Sequence, residues 1–349
     1  MLGTYLQRVS KIIISLRKIK VMNGNFIKRD SCPGCASQDS TTLSKISYSD
    51  PQVIQYLQKF YALKSITPNT LTDVDFTLEK CNDCSLIFQE NIPGNSMMKT
   101  VYDDWLGSET TLNNIENNHN IEYYLGYFNQ IYKIVDYLNK KPNELQFFDF
   151  GFGWCNYLKV VQSFGIKSSG SELSEKRIEY AKSIGITNIT YDKIPNEKFD
   201  YINSDQVFEH IPNPLEILKH LKNALKPGGI IRICVPNGEN GESISKGINW
   251  NANKWDNDSF NIVAPLEHIN CFNYKALVKM ADIAGLKEFK LFRYPKIVSI
   301  KESTTKEDIN TATILIKKVV FNILKKILGR KKEKELYYGN SCNLYFQLK

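Results

Sequence analysis

The sequence is short of the features that would take it into a membrane or across one. No apolar run approaches the roughly 18 residues of a spanning helix. Near the N-terminus the longest apolar stretch is Ile12 to Ile14, too short for a secretory signal. Charge of one sign is scarce as well: the net charge of +8 over 349 residues gathers in two terminal segments, Arg8 to Arg29 and Lys317 to Lys334. That is a poor footprint for a nucleic-acid groove, and no nucleic-acid partner is expected. Histidine is rare, with four in the chain (His119, His210, His220 and His268). Apolar and aromatic residues are not scarce, at 42% and 12%, which is enough for real cores and argues against wholesale disorder. The length exceeds an average domain, so a second, smaller unit is expected.

Without a secretory signal the expected setting is the cytoplasm, where thiols stay reduced. The eight cysteines then need a role other than disulfides, and four of them have one. Cys32-Pro33-Gly34-Cys35 and Cys81-Asn82-Asp83-Cys84 are separated by 45 residues. Each CxxC is a tight knuckle whose two thiolates reach one ion, and two knuckles complete a tetrahedral four-sulfur site. Pro-Gly in the first pair supplies the turn. A redox CxxC would need no second copy. The expectation is a closed, structural zinc held by Cys32, Cys35, Cys81 and Cys84, within a zinc-ribbon-like module of residues 31–95.

Residues 1–30 form a basic amphipathic lead, with Ile12, Ile13, Leu16 and Ile19 on one helical face among Arg8, Lys11, Arg17, Lys18 and Lys20. A second basic amphipathic helix is expected at 311–334. Either could dock on its own protein or lie on an anionic surface, so peripheral contact with the inner face of the membrane stays open. The oligomeric state is not written in the sequence.

Residues 96–140 read as a polar linker and then a helix, Ile121 to Leu138, that leads into the stretch organising the rest. Leu145 to Gly153 reads LQFFDFGFG: a short apolar strand, an acid, a glycine turn and then an apolar-periodic helix. Strands at Ser168–Glu172, Ile186–Tyr191, Phe199–Ser204 and Ile230–Val235 alternate with helices at Ser174–Ile184 and Leu215–Leu225. That alternation predicts an α/β fold, a doubly wound and mostly parallel Rossmann-like sheet over residues 141–349. Gly238 to Phe260 is a polar insertion suited to a lid or substrate loop. A helix at Tyr274–Ala284 and strands at Phe289–Tyr294 and Cys342–Gln347 follow.

Three acids address the ligand of the glycine turn. Asp149 ends the first strand beside Gly151 and Gly153. Glu172, 23 residues later, ends the second strand, where an acid can accept both hydroxyls of a ribose. Asp192 follows the third strand, where an adenine edge would lie. A nicotinamide site would want a third glycine to seat a pyrophosphate, and Asn156 stands there instead. S-adenosylmethionine has no phosphate and needs carboxylates for its hydroxyls and ammonium.

The motifs DFGFG at 149–153, SGSELSEKRIEYAKSIGI at 169–186, FDYINSDQVFEHIPNP at 199–214, LKPGGIIRICVPN at 225–237 and PLEHINCFNYKALVKMADIAGL at 265–286 occur in one order. In that order they resemble class I S-adenosylmethionine-dependent methyltransferases of the type 11 or type 23 kind. CPGC and CNDCSLIFQENIP resemble the zinc-ribbon lead of a subset that acts on sugars in glycan and antibiotic assembly. The resemblance implies that Asp149, Gly151 and Gly153 shape the cofactor turn, Glu172 holds the ribose, Asp192 lies at the adenine edge and Asp205 near the methionine end. The chain departs from the family at Cys155, where a small residue, often glycine, is usual.

Methyl transfer to a hydroxyl gains from a base. His210, paired with Glu209 after the fourth strand, and His268, in PLEHIN, are the candidates, since an imidazole accepts a proton at neutral pH. The implied activity is O-methylation of a sugar nucleotide or glycan precursor, a polysaccharide-biosynthesis role. A sugar C-methyltransferase, a non-catalytic cofactor-binding interaction protein and, third, a nicotinamide oxidoreductase are the alternatives.

Overall fold

The structure, a computed structural model, describes residues 20–22, 26–62, 66, 71, 73–105, 121–254, 258–291 and 341–349. The expected apolar face of the lead, His119 and the basic helix at 311–334 lie outside these residues.

Among the described residues the larger sheet has seven strands. In chain order they are β7 (Gln146–Phe150), β8 (Lys167–Ser171), β9 (Thr187–Asn188), β10 (Phe199–Asp205), β11 (Leu225–Pro236), β13 (Leu286–Phe289) and β14 (Ser341–Leu348). Their spatial order is β13-β14-β11-β10-β7-β8-β9. The first five pair in parallel, and β14 runs antiparallel to both neighbours. The crossovers are α4 (Asn156–Ser163), α5 (Glu175–Ser183) and α6 (Pro214–Lys222), while α3 (Ile121–Leu138) precedes the first strand and α8 (Tyr274–Ile283) the sixth. Strands buried on both faces read as apolar runs, which is why Phe147, Phe148, Tyr201, Ile202, Ile231 and Ile233 are wholly enclosed. The expected α/β fold with its mostly parallel sheet is the fold observed. The third strand is only two residues long, because the chain turns at once into a 3-10 helix at Tyr191–Asn196.

The first half of the chain makes a second sheet. Strands β3 (Ser40–Ser47), β4 (Asp75–Cys81) and β5 (Ile87–Gln89) form an antiparallel run, and β12 (Asn270–Cys271) pairs with β5 at its edge. The sheet that follows the first cysteine knuckle is therefore completed by a strand from the second half of the chain. Helix α1 (Pro51–Phe60) packs on it, started by Asp50, whose side chain accepts the Gln52 N–H, and by proline in the first turn. In the basic lead, Lys20–Met22 (β1) and Phe26–Lys28 (β2) are strands, with β2 paired to β6 (Asn91–Pro93).

The insertion at 238–260 joins this second core. Trp250 and Phe260 sit against Tyr56, and Trp250 also against Phe76, at ring separations of 4.4–5.8 Å. The Lys59 ammonium donates to the Asn251 carbonyl, and Glu242 pairs with Lys80. The segment expected to be a lid carries a short helix, α7 (Gly241–Lys246), and serves as a packed wall.

Candidate active site

The glycine turn is built as its sequence requires. Gly151 and Gly153 have φ of +80° and +53°, conformations that cost a side-chain-bearing residue about 1 kcal/mol or more. A Cβ on Gly151 would come within 2.5 Å of Val207, whereas one on Gly153 would enter open space. The first glycine thus lets the loop after β10 close over the turn, and the second leaves room for a ligand. The Gly151 N–H donates to the Ser171 carbonyl at 2.8 Å.

Cys155, the departure from the family pattern, also has a left-handed backbone, with φ of +61°. That is the physical reason a glycine is favoured there. Its thiol is buried in the apolar layer under α4, and burial pushes it up to about 12. Trp154 leans away from the turn onto α5, edge-on to Tyr180 with the Arg177 guanidinium over its ring. Cys155 does not reach the space beside Gly153.

Glu172 stands one residue past β8. Its Oε2 accepts the Gly153 N–H at 3.0 Å, and its Oε1 accepts those of Leu173 and Ser174 at 2.8 and 3.1 Å. The acid expected to hold the ribose is thus aimed back at the glycine turn. Asp192 is exposed on the 3-10 helix after β9. Its neighbour Tyr191 stacks on His220 at 3.9 Å, and His220 Nε2 donates to the Tyr191 carbonyl. His220 therefore anchors the turn on which Asp192 sits.

Asp149 lies in a row of polar side chains across the carboxyl edge of the sheet. Register aligns it with Asn203 on β10, and Asn203 with Arg232 on β11. The Asn203 amide donates to Asp149 Oδ1 at 2.8 Å and accepts from Arg232 Nη1 at 2.8 Å. The same Nη1 pairs with Asp205 Oδ2 at 2.9 Å, while Nε donates to Asn343. Burial raises Asp149 to about 7, against the lowering effect of the Asn203 hydrogen bond and reinforced by nearby Asp205. Asp205 Oδ1 is buried without a hydrogen-bond partner. Buried polar atoms of this sort are normally satisfied, so this oxygen suits a ligand donor such as an ammonium group. Asn203 and Arg232 were not foreseen. An arginine inside the run IIRICV was the available signal, since a buried guanidinium must have partners.

Glu209, His210 and His268 come together. Each contributes a carboxylate oxygen or ring nitrogen lying within 4.8 Å of the others'. Glu209 and His210 sit on a 3-10 turn, Phe208–His210, directly after the loop that covers Gly151, so the cluster adjoins the glycine turn. His210 Nδ1 donates to the Glu267 carbonyl at 2.9 Å, and His268 Nδ1 donates to the Asn261 carbonyl. A carbonyl can only accept, so both rings carry their proton on Nδ1 and their lone pair on Nε2. Burial pushes both imidazoles below the usual histidine range and Glu209 well above the usual carboxylate range. At neutral pH the two rings are proton acceptors.

Two residues of the first half hold this cluster in place. Gln89, wholly buried on β5, donates from Nε2 to the carbonyls of Ala264 and His268 at 2.9 and 3.1 Å. Arg29 donates to the Ile269 and Pro212 carbonyls and to Asn270 Oδ1 at 2.9–3.1 Å. Asn270 in turn donates to the carbonyls of Phe208 and Ile211. In the sequence Arg29 read as part of a basic lead and Gln89 as a strand residue, and nothing local marked either.

The four expected zinc ligands also meet. Cys32 and Cys84 sulfurs are 3.5 Å apart, as are those of Cys35 and Cys81. Four thiolates around zinc at about 2.3 Å lie roughly 3.7 Å from one another, so the sulfurs stand close to the spacing the metal requires. The Cys32–Cys84 hydrogen bond holds Cys84 below the usual thiol range and Cys32 above it, and a thiolate is the form that binds metal. The donor set fits a structural zinc.

Residues 122–289 match the family described as a methyltransferase domain. Two curated relatives are ubiquinone biosynthesis O-methyltransferases of Actinobacillus pleuropneumoniae. The one from serotype 5b (strain L20) is 29% identical over 115 residues, 28% of this chain and 49% of its own length. The one from serotype 7 (strain AP76) is 28% identical over 116 residues, with the same shares. The chain spans about half the length of these curated relatives. Among solved structures, the plantazolicin methyltransferase BamL, in complex with a desmethyl analog and SAH, superposes with a TM-score of 0.44 at 14% identity, over 71% of this chain and 93% of its own. An SAM-dependent methyltransferase from Archaeoglobus fulgidus gives 0.34 at 16%, over 62% and 93%. At these scores the superpositions decide nothing further. Residues 122–289, just under half of the chain, thus match a methyltransferase domain, and the strand order and glycine turn agree with the fold of such a domain.

Proposed function

We propose that the protein transfers the methyl group of S-adenosylmethionine to a hydroxyl oxygen of a sugar nucleotide or glycan precursor. The observation that carries the reading is the Glu209–His210–His268 cluster beside the glycine turn, with both imidazoles neutral and each Nδ1 tied to a carbonyl. Gly151, Gly153, Glu172, Asp192 and the unpartnered Asp205 Oδ1 are the groups that would hold the cofactor. S-adenosylmethionine supplies an electrophilic sulfonium methyl. The domain has to place the acceptor behind it and take up the acceptor's proton.

His268, buried and fixed at Nδ1, is the preferred base, with His210 beside it and Glu209 as the polar floor. The sugar class rests on the resemblance of the cysteine-bearing lead to that of sugar-modifying methyltransferases. The curated relatives are O-methyltransferases by name, which supports oxygen as the acceptor atom and leaves sugar C-methylation second. Cys32, Cys35, Cys81 and Cys84 would hold a structural zinc. Incubation with methyl-labelled S-adenosylmethionine and a panel of nucleotide sugars, lipid-linked glycans, proteins and RNA, read by mass spectrometry, tests this. Label on a sugar oxygen is expected; label only on protein or RNA would overturn the acceptor class.

A further inference from the structure

We propose that Glu209, His210 and His268 form a second metal site, distinct from the four cysteines, which takes a first-row transition-metal dication. Glu209 is 1% exposed and neither of its carboxylate oxygens has a hydrogen-bond partner. A carboxylate so enclosed costs several kcal/mol unless a cation meets it. The groups that face it are imidazoles. His210 Nε2 stands 3.7 Å from Glu209 Oε1, and an ion about 2.1 Å from each would subtend an angle of roughly 120°. One potential ligand atom from each of the three lies within 4.8 Å of the others, and two ligands about 2.1 Å from one ion stand roughly 3.4 Å apart in a tetrahedral site, so closing on an ion draws the side chains together by up to about an ångström.

Each ring is already oriented as a metal-bound histidine usually is, with Nδ1–H given to a backbone carbonyl and the lone pair on Nε2. The donors come from two separate segments, 208–210 and 264–268, which Gln89, Arg29 and Asn270 pin to the same sheet. A set of two imidazoles and one carboxylate with open positions suits Zn²⁺, Fe²⁺, Co²⁺ or Ni²⁺ better than Mg²⁺ or Ca²⁺, which prefer all-oxygen surroundings. His210, with 22% of its side chain exposed, leaves a route in. Binding rests on this geometry alone. Its consequence for transfer rests on the acceptor-side reading above: a cation on the lone pairs would prevent either ring from receiving a proton.

Cobalt titration of the full chain, without S-adenosylmethionine or acceptor, tests the site independently of any activity. Two equivalents are expected: one with the intense sulfur-to-cobalt charge-transfer bands of a thiolate site, and one with only weak visible bands. Glu209→Gln and His210→Gln should each keep the first equivalent and weaken the second at least 100-fold. Unaltered S-adenosylmethionine affinity and melting temperature show that each variant is folded. A single equivalent in the wild-type protein, or a second that binds both folded variants as tightly as wild type, would overturn the proposal.

Discussion

Asp149 is poised by two opposed effects on one carboxyl. Burial drives it up, the Asn203 amide pulls it back, and the outcome of about 7 leaves it partly protonated at neutral pH. A cofactor ammonium nearby favours the anion, so binding should expel the remaining proton. Affinity for S-adenosylmethionine is then expected to rise between about pH 6 and pH 8. Calorimetric titrations across that range should show the slope in the wild-type protein and lose it in Asp149→Asn. Asp149 and Glu172 were legible in the sequence because a strand-ending acid before a glycine turn is a local pattern. Asp205 was placed by motif. Its partners Asn203 and Arg232 were not, because their meaning depends on which strand lies beside which, and strand order is not a local property. Cys155 shows the reverse limit. The sequence exposed it as unusual, and only the φ of +61° showed why a residue without a side chain is preferred.

At the scale of elements, strand β5 is the surprise. It was foreseen as part of a zinc-binding unit, yet it pairs with β12 from the other half and places Gln89 under the loop carrying His268. Gln89 acts on that loop through its backbone. Gln89→Leu removes the two hydrogen bonds its amide gives to that loop and the one it accepts from the Leu266 N–H, leaving buried polar groups of the loop short of partners at a cost of about 1–3 kcal/mol. The expected result is methyl transfer reduced on the order of 100-fold, as a displacement of about 1 Å produces, with S-adenosylmethionine affinity unchanged. Parallel activity and binding measurements check it. The short β12, Asn270–Cys271, was not legible because two residues carry no periodicity. The strands β7, β10 and β11 were, since each carries apolar residues closed by a turn, whereas the polar β8 followed from the alternation of strands with helices. The insertion at 238–260 read as a lid or substrate loop from its polar composition, and its aromatics join Tyr56 and Phe76 in one core.

For the whole molecule, these contacts make the cysteine cluster a support for the distant chemistry. The second knuckle is the turn between β4 and β5, β5 pairs with β12, and β12 begins two residues after His268. Removing the zinc proposed for the four cysteines should therefore weaken function as well as fold. Cys84→Ser, or prolonged chelation, is expected to lower the melting temperature by roughly 10 °C or more and to reduce transfer alongside it, which calorimetry and a label-transfer assay would record together.

The account stands or falls on whether the histidine cluster serves the transfer itself. The direct measurement is the turnover of His268→Ala with labelled S-adenosylmethionine, made at cofactor concentrations that saturate both proteins. A base contributes about 100- to 10,000-fold, so turnover should fall by at least about 100-fold while the dissociation constant for S-adenosylmethionine stays within about twofold of wild type. Turnover equal to wild type in a folded, cofactor-saturated variant would contradict it.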